Sequence, residues 1–377
     1  MSTSKPPRGP SATTAVQSLA PYIPGKPLEE LEREYGITDS IKLASNENPL
    51  GCGALARAAM QRALDDVGLY PDGSGFQLKH ALAHKHGCDP ACITLGNGSN
   101  DLLVLLAEAY LEPGAESVYS QHCFAIWPIA VQATGAVGRA AAAKDYGHDP
   151  VAMLGLIGPQ TRVVYIANPN NPTGTWLSGS DLERFFAGVP SRVLVVVDEA
   201  YIEYVTDARY QTAEQWLSRF PNLVVTRTFS KAYGLAGLRV GYALSTPAVA
   251  DMLNRVRAPF NVNSVGLAAA AAALEDVAHL RATAAMNTSG MHQVREGLAA
   301  LGVHCLPSQC NFVLADTGRP AGAVYEDMLR QGVIVRPVGG YGLPRHLRIT
   351  IGTKEQNTRM LTALERALSA QPPTANR

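Results

Sequence analysis

In the middle of the chain, short apolar runs alternate with stretches of helical period. SVYS (117–120), TRVVYIA (161–167), RVLVVVDEAY (192–201) and LVVTRTF (223–229) are rich in β-branched residues, and ITLG (93–96) opens the series. Strands that are apolar on both faces are covered on both faces, and intervening helices make the sheet parallel. In an open sheet of this kind, ligands lie beyond the carboxyl ends of the strands. The polar and aromatic residues that follow the runs therefore converge on one edge. They are Gly98, Ser99 and Asn100, then Phe124, Asn171, Asp198 with Tyr201, and Lys231.

The flanks read differently. Residues 1–14 and 370–377 are polar, small or proline-rich and predict disordered tails. Residues 15–45 form an arm of proline-stiffened chain carrying Tyr22, followed by a short charged helix and an apolar strand that ends in a turn at Asn46. Helices are predicted over 53–67 and 76–87, on either side of the turn-rich LYPDGSG loop that carries Tyr70. Residues 46–262 thus read as a large α/β domain. Beyond 262 an alanine-rich helical stretch (264–301) leads to NFVLAD (311–316), a helix near 321–331, strands at GVIVRPV (332–338) and HLRITIG (346–352), and a helix at 354–369. Residues 263–369 predict a smaller α+β domain. Arg336 and Arg348 fall on its strands, where a buried guanidinium needs an anion.

Composition narrows the function. A chain of 377 residues is long enough for two domains. Its 32 basic and 32 acidic side chains cancel, which gives no electrostatic ground for nucleic acid or an anionic membrane as partner. The apolar runs break before a bilayer span, and the first residues lack a signal peptide's apolar core, so a cytoplasmic protein is expected. Six cysteines without CxxC pairing read as reduced thiols, and nine histidines without an HExxH pattern give no metal site. His80, His84 and His86 read as one face of a surface helix.

Lysine is scarce, with eight in the chain, and Lys231 stands alone between Lys144 and Lys354. Placed at the end of a buried strand and fenced by Thr228 and Ser230, its amine loses affinity for its proton and becomes a nucleophile toward a carbonyl. The Gly98–Asn100 turn opens a long helix, whose free N–H groups and dipole suit an anion. Phe124 offers a ring to stack on, and Asp198 a carboxylate at a strand end. Pyridoxal 5′-phosphate needs this set: a lysine for its aldehyde, donors for its phosphate, a plate for its ring and a carboxylate for its pyridine nitrogen. Tyr201 and Asn171 would donate to its phenolic oxygen. Arg239, eight residues after the lysine, would join Thr228, Ser230 and the turn on the phosphate.

NPNNPTG, DEAY and SKAYGLAGLRVG, at these intervals, resemble the fold type I aminotransferases. APYIPGKP, NENPLG and YPDGSG narrow the likeness to the histidinol-phosphate aminotransferase family, within class II of the pyridoxal-phosphate-dependent aminotransferases. The resemblance runs from near the start to LRITIGT. It implies a large domain with a mostly parallel, seven-stranded type of sheet covered by helices, and a homodimer with shared active sites, Tyr70 reaching the cofactor phosphate of the neighbouring subunit. It also implies that Tyr22, Asn46, Arg336 and Arg348 meet the substrate. The activity implied is amino-group transfer between L-histidinol phosphate and 2-oxoglutarate, giving imidazole acetol phosphate and L-glutamate, in L-histidine biosynthesis. Phe124 stands where the family stacks a tyrosine, and SQHCF replaces a more proline-rich lead-in. The same scaffold also serves aromatic-amino-acid or phenylpyruvate transamination and the decarboxylation of phosphorylated amino acids. An aminotransferase-like transcription regulator would need a DNA-binding domain ahead of the first sheet element, where some forty extended or charged residues stand.

Overall fold

A computed structural model describes residues 10–370. Segments 1–9 and 371–377 of the predicted tails lie outside the described residues; at the junction of the first tail and the arm, Thr14–Gln17 forms a single helical turn. Strand β1 is a short piece, Ile41–Lys42. The main sheet takes β2 (Ile93–Gly96), β3 (Glu116–Ser120), β4 (Val137–Ala141), β5 (Thr161–Ala167), β6 (Leu194–Asp198), β7 (Leu223–Thr228) and β8 (Gly241–Leu244). Their spatial order is β2-β8-β7-β6-β5-β3-β4. The pairs from β7 through β4 are parallel, and β8 runs antiparallel to both β7 and β2.

The apolar runs divide their residues between the two faces as the two-residue strand period demands. Val164, Ile166, Val195, Val197, Leu223 and Val225 join one core, while Val163, Tyr165, Leu194, Val196 and Val224 join the other. Two continuous cores explain why these strands show little hydrophobic alternation. β4 departs from the rule, with Val137 to Arg139 exposed at the sheet edge, and its small residues gave no strand signal. β8 follows the lysine loop within a few residues, and its reversal leaves no signal in residue type.

The second sheet is antiparallel, ordered β12-β13-β10-β9, from β9 (His304–Cys305), β10 (Phe312–Asp316), β12 (Arg336–Pro337) and β13 (His346–Thr350); β11 (Val333–Ile334) pairs in parallel with β1. Its core packs under helices 277–300, 321–329 and 354–369. The expected helical stretch 264–301 is two helices, broken at Asp276, whose side chain caps the second by accepting from His279 N–H. Residues 41–46, read from sequence as the junction between arm and large domain, hydrogen-bond to the C-terminal sheet. Leu43 donates to Ile334 and accepts from Thr350.

His80 and His84 are exposed, but His86 is not a surface residue. Its ring is 3% exposed and lies between Glu214 at 2.8 Å and Tyr242 at 3.0 Å. Glu214 also holds Arg227, which pairs with the fully buried Glu199 of the DEAY segment. This charged network fastens helix 76–86 to the sheet.

Candidate active site

The carboxyl ends of the parallel strands and the amino end of the reversed β8 share one edge, and a pocket opens there. It is lined by Tyr22, Asn46, Ser99, Asn100, Phe124, Asn171, Asp198, Tyr201, Thr228, Ser230, Lys231, Arg239 and Arg348, together with backbone-rich positions such as Gly25, Ser45 and Pro169. Arg239 reaches this edge because β8 is antiparallel, so the residues just before it emerge where the other strands end.

Lys231 is half-buried, and its Nζ donates to the Ser45 carbonyl at 3.0 Å. Burial, with the Arg348 cation next in importance and Arg239 also contributing, pulls its amine down to about 8. Asp198 is 5% exposed, and burial pushes its carboxyl up to about 6. Tyr165 donates to one of its oxygens and Thr226 to the other, each at 3.1 Å. Both donors are neutral, so a buried carboxylate lines the pocket with lone pairs to spare and, among the described residues, no cation bonded to it.

Three consecutive residues of the arm junction enter the site. The Ala44 carbonyl accepts from Arg348 Nη2 at 2.6 Å, the Ser45 carbonyl accepts from Lys231, and Asn46 Nδ2 donates to the Tyr201 hydroxyl at 2.9 Å. Asn171 Nδ2 also donates to Tyr201, at 3.2 Å, and Asn171 Oδ1 accepts from Arg348 Nη1 at 2.6 Å. The Tyr201 oxygen thus accepts twice, which leaves its own O–H to donate into the pocket. Arg348 is 4% exposed; both of its acceptors are neutral, and its Nε is buried without a partner among the described residues.

The anion end is built from backbone. Gly98, at φ +84°, precedes the helix Ser99–Tyr110, whose first N–H groups have no intrahelical acceptor. A Cβ at Gly98 would stand 2.5 Å from Arg239 Nη2, so glycine lets the guanidinium pass beneath the turn. Arg239 also donates to Ser230 Oγ at 3.3 Å. Thr228 lines the pocket, but its hydroxyl is engaged with backbone, donating to Val240 O at 3.4 Å and accepting from Ser230 N at 3.1 Å.

Two expected site residues lie elsewhere. Arg336 sits in an adjoining apolar groove of about 830 Å³, where its guanidinium stands 5.5 Å from the Tyr22 ring centroid and donates to the Ile23 carbonyl. Tyr22 lines both spaces. Tyr70 is 84% exposed, outside the pocket, stacked at 4.9 Å on Phe260. The carbonyls of Ala44 and Ser45 escaped the sequence reading, because a main-chain acceptor leaves no signal in residue type. The set brought together fits pyridoxal phosphate: an amine, an uncompensated buried carboxylate, an inward-donating phenol, and an anion cup of turn N–H groups and Arg239.

The family model for class I and II aminotransferases matches residues 38–364, and the chain belongs to that family. Its relatives place it more finely. It is 57% identical over 360 residues to a histidinol-phosphate aminotransferase 2 of Pseudomonas aeruginosa, covering 95% of this chain and 98% of the relative. It is 55% identical to a histidinol-phosphate aminotransferase 1 of Nitrosococcus oceani, over 95% of this chain and 96% of that one. Within the family, then, the chain stands among the histidinol-phosphate aminotransferases. The crystal structure of the Sinorhizobium meliloti histidinol-phosphate aminotransferase in complex with pyridoxal 5′-phosphate superposes with a TM-score of 0.88 at 31% identity, over 95% of this chain and 97% of that one. A double mutant of Thermus thermophilus aspartate aminotransferase, 23% identical, shares the fold with a TM-score of 0.83 over 95% of this chain and all of that one. Among the described residues, no helix is long and apolar enough to cross a membrane, and no cluster of three or more His, Cys, Asp or Glu is placed to hold a metal.

Proposed function

We propose that the protein is a pyridoxal-phosphate-dependent aminotransferase that moves an amino group between L-histidinol phosphate and 2-oxoglutarate in L-histidine biosynthesis. The observation that carries this reading is the juxtaposition of a low-affinity amine, Lys231, with two buried charges, Asp198 and Arg348, that have no ion-pair partner among the described residues. The relatives' activities support the substrate, and the crystal structure of the Sinorhizobium meliloti relative supports the cofactor. When bound, the cofactor supplies an aldehyde for the amino group and a ring that withdraws electrons from the substrate Cα.

The chain's residues do the rest. Lys231, with its amine near 8, exists in part as the free base at neutral pH, so it can hold the cofactor covalently and then move a proton at Cα. Asp198 keeps the proton on the ring nitrogen. Tyr201 donates to the ring oxygen, oriented by Asn46 and Asn171, and Phe124 stacks on the ring. The turn at 98–100, with Ser230, Thr228 and Arg239, holds the phosphate. Arg348 takes the acidic end of the substrate inside the pocket, and Arg336 with Tyr22 takes an anion from the groove. The reading includes a cytoplasmic homodimer in which the exposed Tyr70 reaches the neighbouring subunit's cofactor phosphate.

The groove gives a second reading a footing. Its Ile23, Pro128, Ile129 and Tyr341 walls suit an aromatic side chain, and so a phenylalanine or phenylpyruvate substrate. A single-turnover experiment decides between them. The cofactor-loaded protein is mixed with histidinol phosphate or with phenylalanine, and bleaching of the visible band is followed. Faster bleaching with histidinol phosphate is expected; faster bleaching with phenylalanine moves the enzyme to aromatic amino-acid metabolism.

A further inference from the structure

Behind Asp198, on the same face of the sheet, lies an aromatic pair that the mechanism above does not use. β5 and β6 run in register with Ala167 beside Asp198 and Tyr165 beside Val196. Tyr165 is therefore one strand period behind the pocket, facing the same way as Asp198. Its ring is fully buried and stacks on Trp127 with centroids 5.1 Å apart and planes 10° from parallel. Trp127 is itself pinned, its Nε1 donating to Ser117 Oγ at 3.0 Å. From this fixed platform the Tyr165 phenol donates to Asp198 Oδ2, while Thr226, in register with Asp198 on β7, donates to Oδ1.

This arrangement does two things to the carboxylate. The two side-chain donors engage one oxygen each, which restrains the carboxylate plane and leaves lone pairs for a further donor. Both donors are best satisfied by the ionised form, so they oppose the burial that favours a neutral carboxyl. A rigid phenol suits that task better than water would, because its position is set by packing.

We infer, resting on the pyridoxal phosphate reading, that Tyr165 is a positioning residue whose phenol holds Asp198 ionised and aimed at the cofactor's ring nitrogen. Trp127 holds the phenol in place. Tyr165→Phe keeps the stacked ring and removes the hydroxyl alone.

The test uses protein loaded with pyridoxal phosphate and two readings that need no turnover: the cofactor's dissociation constant and the pH midpoint of its visible band. Tyr165→Phe is expected to weaken cofactor binding about tenfold, the worth of one hydrogen bond to a charged group. It should also move the midpoint upward, because a less firmly held ring proton withdraws less electron density from the lysine linkage. Thr226→Val, which removes the other donor without touching the ring pair, shifts both readings in the same direction. In an Asp198→Asn background, Tyr165→Phe should change neither reading further. The inference is overturned by a Tyr165→Phe protein that matches the wild type in both readings, or by equal losses with and without Asp198. Wild-type protein that shows no visible band with the cofactor would instead remove the underlying reading, and the inference with it.

Discussion

The lysine pocket and the groove beside it are built from neighbouring residues yet differ in how complete they are. In the pocket, Asn46, Asn171, Tyr201 and Arg348 form one buried hydrogen-bonded chain, each side chain holding the next. In the groove, Arg336 leans on the ring of Tyr22 and on one carbonyl of the arm, against apolar walls. The two arginines are nevertheless cross-strand partners in register, Arg336 opposite Arg348. The difference teaches where rigidity is spent. The pocket's polar groups are organised in advance, as electrostatic catalysis requires, whereas the groove is walled by an extended arm whose one polar tie to Arg336 is a backbone carbonyl.

Substitutions can break this contrast or sharpen it. The largest effect is expected from Lys231→Ala, which should lower turnover by more than about a thousandfold and abolish the visible band, since no other side chain in the pocket offers an amine. Robust turnover measured in that variant would sink the mechanism. Next come the two arginines, measured side by side. Arg348→Ala removes a buried charge that aligns Asn171 and should lower kcat/KM about a hundredfold or more. Arg336→Ala should raise KM for the phosphorylated substrate about tenfold with a smaller change in kcat. Equal effects would show that pocket and groove form one site.

The smallest effect is on stability, and its sign follows from the two shifted groups. The carboxyl of Asp198 binds its proton more tightly when folded, at about 6 against 3.8. Its contribution is therefore present below about pH 4 and is lost as pH rises through 6. Lys231, at about 8 against 10.5, contributes above about pH 10.5 and loses that contribution as pH falls through 8. At pH 7 both groups cost the cofactor-free protein stability. Asp198→Asn should accordingly stabilise it at pH 7 by about 1–3 kcal/mol while harming catalysis, with the gain fading toward pH 4. Urea unfolding at both pH values checks this, and an unchanged or lower stability at pH 7 refutes the burial argument.

Much of the site was legible in the sequence because the sheet is buried on both faces. Continuous runs such as VLVVVD announce a strand and its end together, so the pattern alone puts Asp198, Asn171 and Lys231 on one edge. The family motifs then supplied roles. What stayed hidden has physical reasons. β4 carries small and exposed residues at a sheet edge, where no core dictates apolar side chains. The burial of His86 depends on Glu214 and Tyr242, both more than 120 residues away in sequence. Arg336 and Arg348 look alike in sequence, and only strand pairing and the path of the arm separate a buried guanidinium from one stacked on Tyr22. Tyr165 reads as one more apolar position in a strand until its hydroxyl is seen to meet Asp198.

The three residues Ala44, Ser45 and Asn46 have a mechanical consequence. They touch Arg348, Lys231 and Tyr201 in turn, and the same short segment is stitched to β11 and β13 of the C-terminal sheet. A displacement of that sheet would therefore pull on the Arg348 guanidinium, the amine and the phenol through one inextensible thread of backbone, at most about 7–11 Å long when fully drawn out. The segment works as a tie-rod: Arg348, Lys231 and Tyr201 are coupled to the C-terminal sheet through one stretch of backbone.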